Sequence, residues 1–414
     1  FAKPTVRNPD AQLAIAGIDT SFLPTDKNNL GPRLGLAWAP KARPLVVRAG
    51  YGVFYGRTPS IMVGTAHSNN GINTRTITFT GASMPTYPAV FTTLPTGAAL
   101  PKPTIFNFSR DYGNPRVQQS SIGAEYEIAT GTSVTVTYLH VSGTDLPRST
   151  DLNIGSSSTT TYSVTSGQSL SYYRFAPGPY ANFARVISFQ STAKSTYNGL
   201  TVDVNRRFAG HFAARAAYTL GKVTDTVPDA TAVVAGSSSD DAKYASNPSN
   251  FEADRAPGSN DQRHRLVASG MFDTYALSGP GVLTTLLRNW QISGILTVAS
   301  GQPYSARVGA VDLNGDGNTR NDFAPGTTRN QYRLPNYRAL DLKLSRTIPL
   351  HGRFTVEPII SAFNLLNADN INSVNSTLYG VTTATNTLTP NSSFGKELGT
   401  AGQRIVQLAV RLTF

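Results

Sequence analysis

No cysteine occurs among the 414 residues, which excludes disulfides and cysteine-ligated metal sites. No window approaches the roughly 20 consecutive apolar residues that a membrane-spanning helix needs. Charged residues make up only 14% of the chain. The net charge is +12, yet Arg and Lys are mostly scattered singly, as at Arg48, Arg215 and Arg411, with no run beyond Arg206-Arg207. A nucleic-acid footprint is clustered, so no nucleic-acid partner is expected.

Catalytic signatures are missing too. There is no G-x-S-x-G and no H-E-x-x-H, and the five histidines (His67, His140, His211, His264, His351) are dispersed. Gly50, Gly52 and Gly56 sit inside a strand-like run with the wrong spacing for a dinucleotide fingerprint. They are expected to relieve crowding on a strand's inner face. No enzyme is expected. The start lacks a charged segment followed by an apolar one, and the chain is expected to be either processed or a fragment without its true beginning.

What the chain does contain is alternation. Counting back from Phe414, the residues Leu412, Val410, Leu408 and Val406 fall on one face of an extended strand. Thr413, Arg411, Ala409 and Gln407 fall on the other. An edge strand of a soluble β-domain can read this way, and so does the last strand of an outer-membrane barrel. The pattern recurs along the chain, as in Leu200, Val202 and Val204 or Leu340, Leu342 and Leu344. A barrel needs only one lipid-facing residue in two, so a hydrophobic content of 39% with 18 Tyr and 19 Phe is compatible with a membrane protein.

Short and long connections alternate. Short ones lie near 40–44, 129–132, 208–211 and 349–353, with a looser one at 276–286. Long ones rich in Gly, Ser, Asn and Pro fill 57–115, 145–195, 225–261, 301–336 and 368–401. Tight periplasmic turns opposite long extracellular loops are the asymmetry of an outer-membrane barrel. The expected fold is all-β, a transmembrane antiparallel β-barrel with about eleven crossings. They are 33–39, 45–56, 116–128, 133–144, 196–207, 212–224, 262–275, 287–299, 337–347, 353–366 and 404–414. Residues 183–194 are read as an extracellular extension of the 196–207 strand. Bacterial single-chain barrels have even strand numbers, so about eleven points to a missing N-terminal part.

Several runs resemble one family. They include Asn28-Asn29-Leu30-Gly31-Pro32-Arg33-Leu34-Gly35-Leu36-Ala37-Trp38 and Arg48-Ala49-Gly50-Tyr51-Gly52-Val53-Phe54-Tyr55. Further ones are Tyr197-Asn198-Gly199-Leu200, Asp261-Gln262-Arg263-His264-Arg265, Ser300-Gly301-Gln302-Pro303-Tyr304 and Phe363-Asn364-Leu365-Leu366-Asn367. Their order and spacing across nearly the whole chain are similar to TonB-dependent outer-membrane receptors of the Oar-like group. The resemblance implies a 22-stranded barrel, an N-terminal plug and uptake energised through TonB. Residues 1–414 then form the C-terminal part of the barrel, with plug, TonB box and N-terminal strands absent.

The sharpest local constellation is Asp312-Leu313-Asn314-Gly315-Asp316-Gly317-Asn318-Thr319-Arg320-Asn321-Asp322. It matches the first half of a calcium loop, D-x-N-x-D-G, in which alternate oxygen side chains converge and Gly permits the sharp turn. The candidate ligands are Asp312, Asn314, Asp316, the backbone at Asn318, and Asp322. The acid usual at the twelfth position is replaced by Phe323. Asn, Asp and Gly also favour turns on their own account, so an Asx-rich loop without metal stays open.

Arg48, Arg215, Arg265 and Arg411, with Glu125, Glu357 and Asp341, fall on or near non-lipid faces, suited to wall–wall or wall–plug pairing or to a substrate path. Trp38, Tyr51, Tyr126, Tyr138, Tyr218, Trp290 and Phe414 fit interfacial girdles or ordinary core positions. Phe414 is the expected assembly signal, read by the barrel-assembly machinery. Other expected partners are outer-membrane lipid, lipopolysaccharide and, through the missing N-terminal region, the TonB complex. The expected role is ligand uptake across the bacterial outer membrane. The alternatives are a surface binding or adhesion protein anchored by a barrel, or an open porin.

Overall fold

The computed structural model describes residues 6–41, 43–73, 84–92, 102–227, 243–275 and 277–414. The alternating segments become a wall of eleven strands. These are β1 (Arg33–Trp38), β2 (Leu45–Tyr55), β3 (Arg116–Ala129), β4 (Thr132–Asp151), β5 (Arg185–Ala209) and β6 (Phe212–Asp225). Then come β7 (His264–Asp273), β8 (Trp290–Ala299), β9 (Tyr337–Arg346), β10 (Thr355–Phe363) and β11 (Ile405–Thr413). Consecutive strands pair antiparallel throughout. Among the described residues β1 pairs only with β2 and β11 only with β10, so the wall is open at both edges.

Two strands run well past their expected crossings. Beyond an irregularity at 143–147, β4 continues to Asp151, paired with residues 187–193 of β5. The extension expected at 183–194 is therefore present, and the loop drawn at 145–195 contracts to 152–184. Packing explains it. Val186, Ile187 and Phe189 are fully buried, alongside a strand at Thr104–Phe108 that runs parallel to this stretch.

Register separates the wall's faces. Phe212, Phe272, Ile292, Leu344, Ile360 and Leu408 form one row across six neighbouring strands, all exposed. One residue along is the row Met271, Ser293, Lys343, Ser361 and Gln407. A belt of exposed apolar side chains is what a hydrocarbon layer covers. Its polar neighbour lines the lumen. On that inner face Arg48–Glu125 (3.1 Å), Arg215–Asp203 (2.8 Å) and Arg411–Glu357 (3.3 Å) pair across adjacent strands. These arginines are engaged wall to wall.

Aromatic side chains punctuate the outer face near both ends of the strands. Trp38 and Tyr126 lie toward the short-turn end, Tyr51, Tyr138 and Tyr218 toward the loops, all more than a third exposed. Tyr218 stands six residues along β6 from Phe212, roughly 20 Å at the rise of a strand. This spacing fits two interfacial girdles.

The turns follow from local chemistry. Gly210 and His211 both have positive φ, 59° and 72°, the pattern of a two-residue type I′ hairpin. Gly52 leaves space for the Phe54 ring, which would lie 2.7 Å from a Cβ there. The looser turn before β8 contains a short helix, Val282–Leu287, so β8 begins at Trp290 rather than at 287. No helix among the described residues is long and apolar enough to cross a membrane, which says nothing of strands.

The buried apolar core lies outside the wall. One cluster holds Met62, Phe106, Phe108, Tyr112, Ile187 and Phe189. A second holds Leu13, Ile18, Ile105, Tyr180, Phe183 and Val186. A third joins Tyr162, Val164, Tyr172, Val308, Leu313 and Leu388. Nearly all belong to the long connections or the extended ends of β4 and β5.

Candidate functional site: the interlocked outer loops

The third cluster explains how separate loops become one layer. Short strands from three connections form a five-stranded sheet in the order Arg307–Val308, Thr377–Thr382, Thr387–Pro390, Ile154–Val164, Ser169–Pro177. None of these segments buries both faces alone. Each large apolar side chain buried between them contributes about 1.5–3 kcal/mol.

Buried ion pairs fasten this layer to the strand ends. Arg329 of the 300–336 connection is 3% exposed and pairs with Asp225 at the top of β6, while Nε donates to Asp254 O at 2.8 Å. Arg333 pairs with the fully buried Asp261, while Arg185 and Asp151, 3.1 Å apart, join the outer ends of β5 and β4 to each other. Asn330 Nδ2 donates to Pro257 O at 2.7 Å. Part of the expected loop 225–261, residues 228–242, lies outside the described residues.

Beside the first cluster lie two clefts that share Thr25, Asp26 and Asn114. One, of about 640 Å³, is lined by polar groups including Asn28, Asn29, Arg110 and Arg116. The other, of about 740 Å³, adds Leu23, Pro59 and Val63. Together they offer a polar floor with an apolar shoulder. Sequence reasoning did not single them out, because their residues come from segments more than 80 positions apart.

All five residues of the expected calcium loop are close together in the outer layer. Asp312 Oδ1 accepts the Gly315 and Asp316 N–H groups at 2.7 and 3.1 Å, and Oδ2 accepts that of Gly317 at 2.9 Å. Asn314 Oδ1 accepts Asp316 N–H and Asn318 Oδ1 accepts Arg320 N–H, both at 2.9 Å. Asp322 reaches back to the N–H groups of Leu313 and Asn314 at 2.9 and 3.2 Å. Among the described residues, no three His, Asp or Glu side chains gather closely enough to hold a metal on their own.

The electrostatics are unusual for an outer loop. Burial raises the Asp322 carboxyl to about 8, with Asp316 and Asp312 adding repulsion and the Leu313 and Asn314 N–H groups opposing. Burial likewise lifts Asp316 to about 6 against its bonds to Asn321 and Asn318. None of these three carboxylates forms an ion pair among the described residues. Asn321, 1% exposed, was outside the expected ligand set. Its Nδ2 donates to Asp316 Oδ2 at 2.6 Å and to Ala245 O at 3.0 Å.

An antiparallel wall with an apolar outer belt, a polar inner face, tight turns on one side and a built loop layer on the other defines an outer-membrane β-barrel. The family described as outer membrane beta barrel domain matches residues 2–328, and the chain belongs to it. It is a protein of the bacterial outer membrane.

One solved structure shares the fold, and two others are similar to the chain. The outer membrane transporter YddB from Escherichia coli superposes with a TM-score of 0.50 at 9% identity, over 88% of this chain and 38% of that one. A mutant of the ferric enterobactin receptor PfeA from Pseudomonas aeruginosa gives 0.48 at 12% identity, over 92% and 40%. The siderophore receptor PirA from Acinetobacter baumannii gives 0.48 at 10% identity, over 92% and 40%. The chain thus spans about two fifths of the length of these proteins. No curated protein matches it in sequence.

Proposed function

We propose that this chain is part of an outer-membrane receptor that captures a ligand in its outer loops and passes it through a plugged barrel energised by TonB. The observation that carries the reading is the open wall of eleven strands, polar inside and roofed by interlocked loops. Such a wall needs further strands to close it, and a barrel of about 22 strands encloses a lumen that a plug fills. On this reading residues 1–414 are the C-terminal part of a barrel of about 22 strands, of the Oar-like group. TonB is engaged through a region N-terminal to it.

The inner face supports a plug-lined lumen. A shallow hollow of about 530 Å³ on that face is lined by Arg215, Asp341 and Lys343 among others, groups suited to pairing with a polar domain. Lipid and lipopolysaccharide surround the outer belt, and Phe414, 80% exposed after the last strand, is the signal for the barrel-assembly machinery.

The test uses the protein extracted from its native outer membrane. Planar-bilayer conductance and binding to a purified periplasmic fragment of TonB are measured together. A closed barrel that binds the fragment is expected. Stable open channels without binding would establish the porin reading instead, and a closed barrel without binding the adhesion reading.

A further inference from the structure

The short helix Val282–Leu287, in the turn before β8, leaves its apolar side chains bare. Val282, Leu283, Leu286 and Leu287 are 77, 70, 54 and 50% exposed. Clustered apolar side chains on a surface mark a contact with a partner or a membrane.

Its backbone is treated the opposite way. The last carbonyls of a helix have no partner within it, yet those from Thr284 to Leu287 are all taken. Arg288 N–H donates to Thr284 O at 3.0 Å, and Trp290 Nε1 to Leu286 O at 2.7 Å. Thr274 Oγ1 donates to Leu287 O at 2.6 Å, and Arg346 Nη2 donates to Thr285 O. Sealed carbonyls beside bare leucines suit an apolar medium, which offers the backbone no water to bond.

The helix is also held on the right side of the wall. Trp290 and Arg346 stand opposite each other across β8 and β9, two residues along from the exposed pair Ile292 and Leu344. Period 2 places all four on the outer face. The Arg346 guanidinium lies 5.5 Å from the Trp290 ring centroid. Both side chains clamp the helix where the apolar belt meets the short turns. Between 274 and 290 the chain carries one cation, Arg288, which is exposed, and no acid.

We propose that this helix lies in the phospholipid leaflet on the short-turn side, with its four apolar side chains among the upper acyl carbons and Arg288 at the lipid phosphates. Three observations carry it: continuity with the belt that hydrocarbon covers, the sealed carbonyls, and a charge of the sign that anionic lipid attracts. Interfacial helices seat their apolar face about 5–10 Å into the boundary between headgroups and acyl chains, and Trp290 belongs at the same level. The helix widens the wall's footprint in one leaflet and fixes its height there.

The test uses the protein extracted from its native outer membrane, in discs of phosphatidylethanolamine and phosphatidylglycerol. Leu283→Cys and, as an aqueous control, His351→Cys each carry an environment-sensitive fluorophore, and heat-modifiable migration reports an intact wall. The Leu283 probe should emit to the blue of the control. Lipid with a nitroxide high on its acyl chain should quench it at least about twofold more than aqueous iodide does, and the control should show the reverse. Adding Arg288→Glu should shift the Leu283 probe toward iodide quenching. Emission quenched mainly by iodide would overturn the proposal. Blue emission without lipid quenching would also overturn it, by showing that protein covers the helix. No change with Arg288→Glu would remove the phosphate contact. The readout is the same whichever way the barrel faces and whether or not TonB binds, so its failure is distinct from failure of the receptor reading.

Discussion

Ile360 stands directly opposite Leu408 across the β10–β11 ladder, and Ser361 stands opposite Gln407. Adjacent residues of the last strand therefore meet different media. Leu408→Arg places a guanidinium in hydrocarbon near mid-strand, at a cost of about 2–4 kcal/mol. Gln407→Arg faces the lumen and should be tolerated. Heat-modifiable migration after refolding measures both; equal folding yields would refute the assigned faces.

The absence of native cysteine makes orientation easy to measure. A cysteine at the exposed Ala384, in the outer layer, should react with a membrane-impermeant maleimide on intact cells. One at the exposed His351, in a short turn, should react only after the outer membrane is broken. The opposite pattern would invert the barrel.

Arg329 and Asp225 form a buried pair, and removing one partner strands the other charge. Arg329→Met should therefore loosen the roof, at a cost on the order of 3–5 kcal/mol. Arg329→Met with Asp225→Leu should recover much of it. Hydrogen exchange in 300–336 is the measurement, with the β8–β9 amides as an internal control. A double variant as damaged as the single one would show that the charge is not the cause.

At the β5–β6 hairpin nothing lies within 4 Å of a Cβ placed on Gly210. Gly210→Val therefore tests backbone strain without crowding. A side chain in the left-handed region costs roughly 1–2 kcal/mol. Denaturant unfolding in micelles should register that loss, while Gly131→Asn, at another positive-φ turn position, should change stability far less.

The wall was legible because period 2 is local. Nine of the eleven strands begin and end within three residues of the segments read from alternation. The outer end of β5 was read as an extension at 183–194, but that of β4 was not, since Arg148, Ser149 and Thr150 are polar and yet buried. Tertiary packing, not alternation, keeps them extended. The D-x-N-x-D-G run located the 312–322 loop, but Asn321 and Ala245 escaped notice. Their relation exists only because two connections more than 70 positions apart are packed together. The shared clefts were hidden for the same reason.

The five-stranded roof draws its strands from stretches near 160, 307 and 380. Closing such distant contacts costs chain entropy before it returns any packing. That cost is lowest once β4 with β5, β8 with β9 and β10 with β11 already hold the stretches side by side. Roof closure is therefore a late event that reports on the whole wall. A misregistered strand anywhere between 132 and 413 would displace at least one of its contributors, so a barrel could insert and still carry an unformed roof.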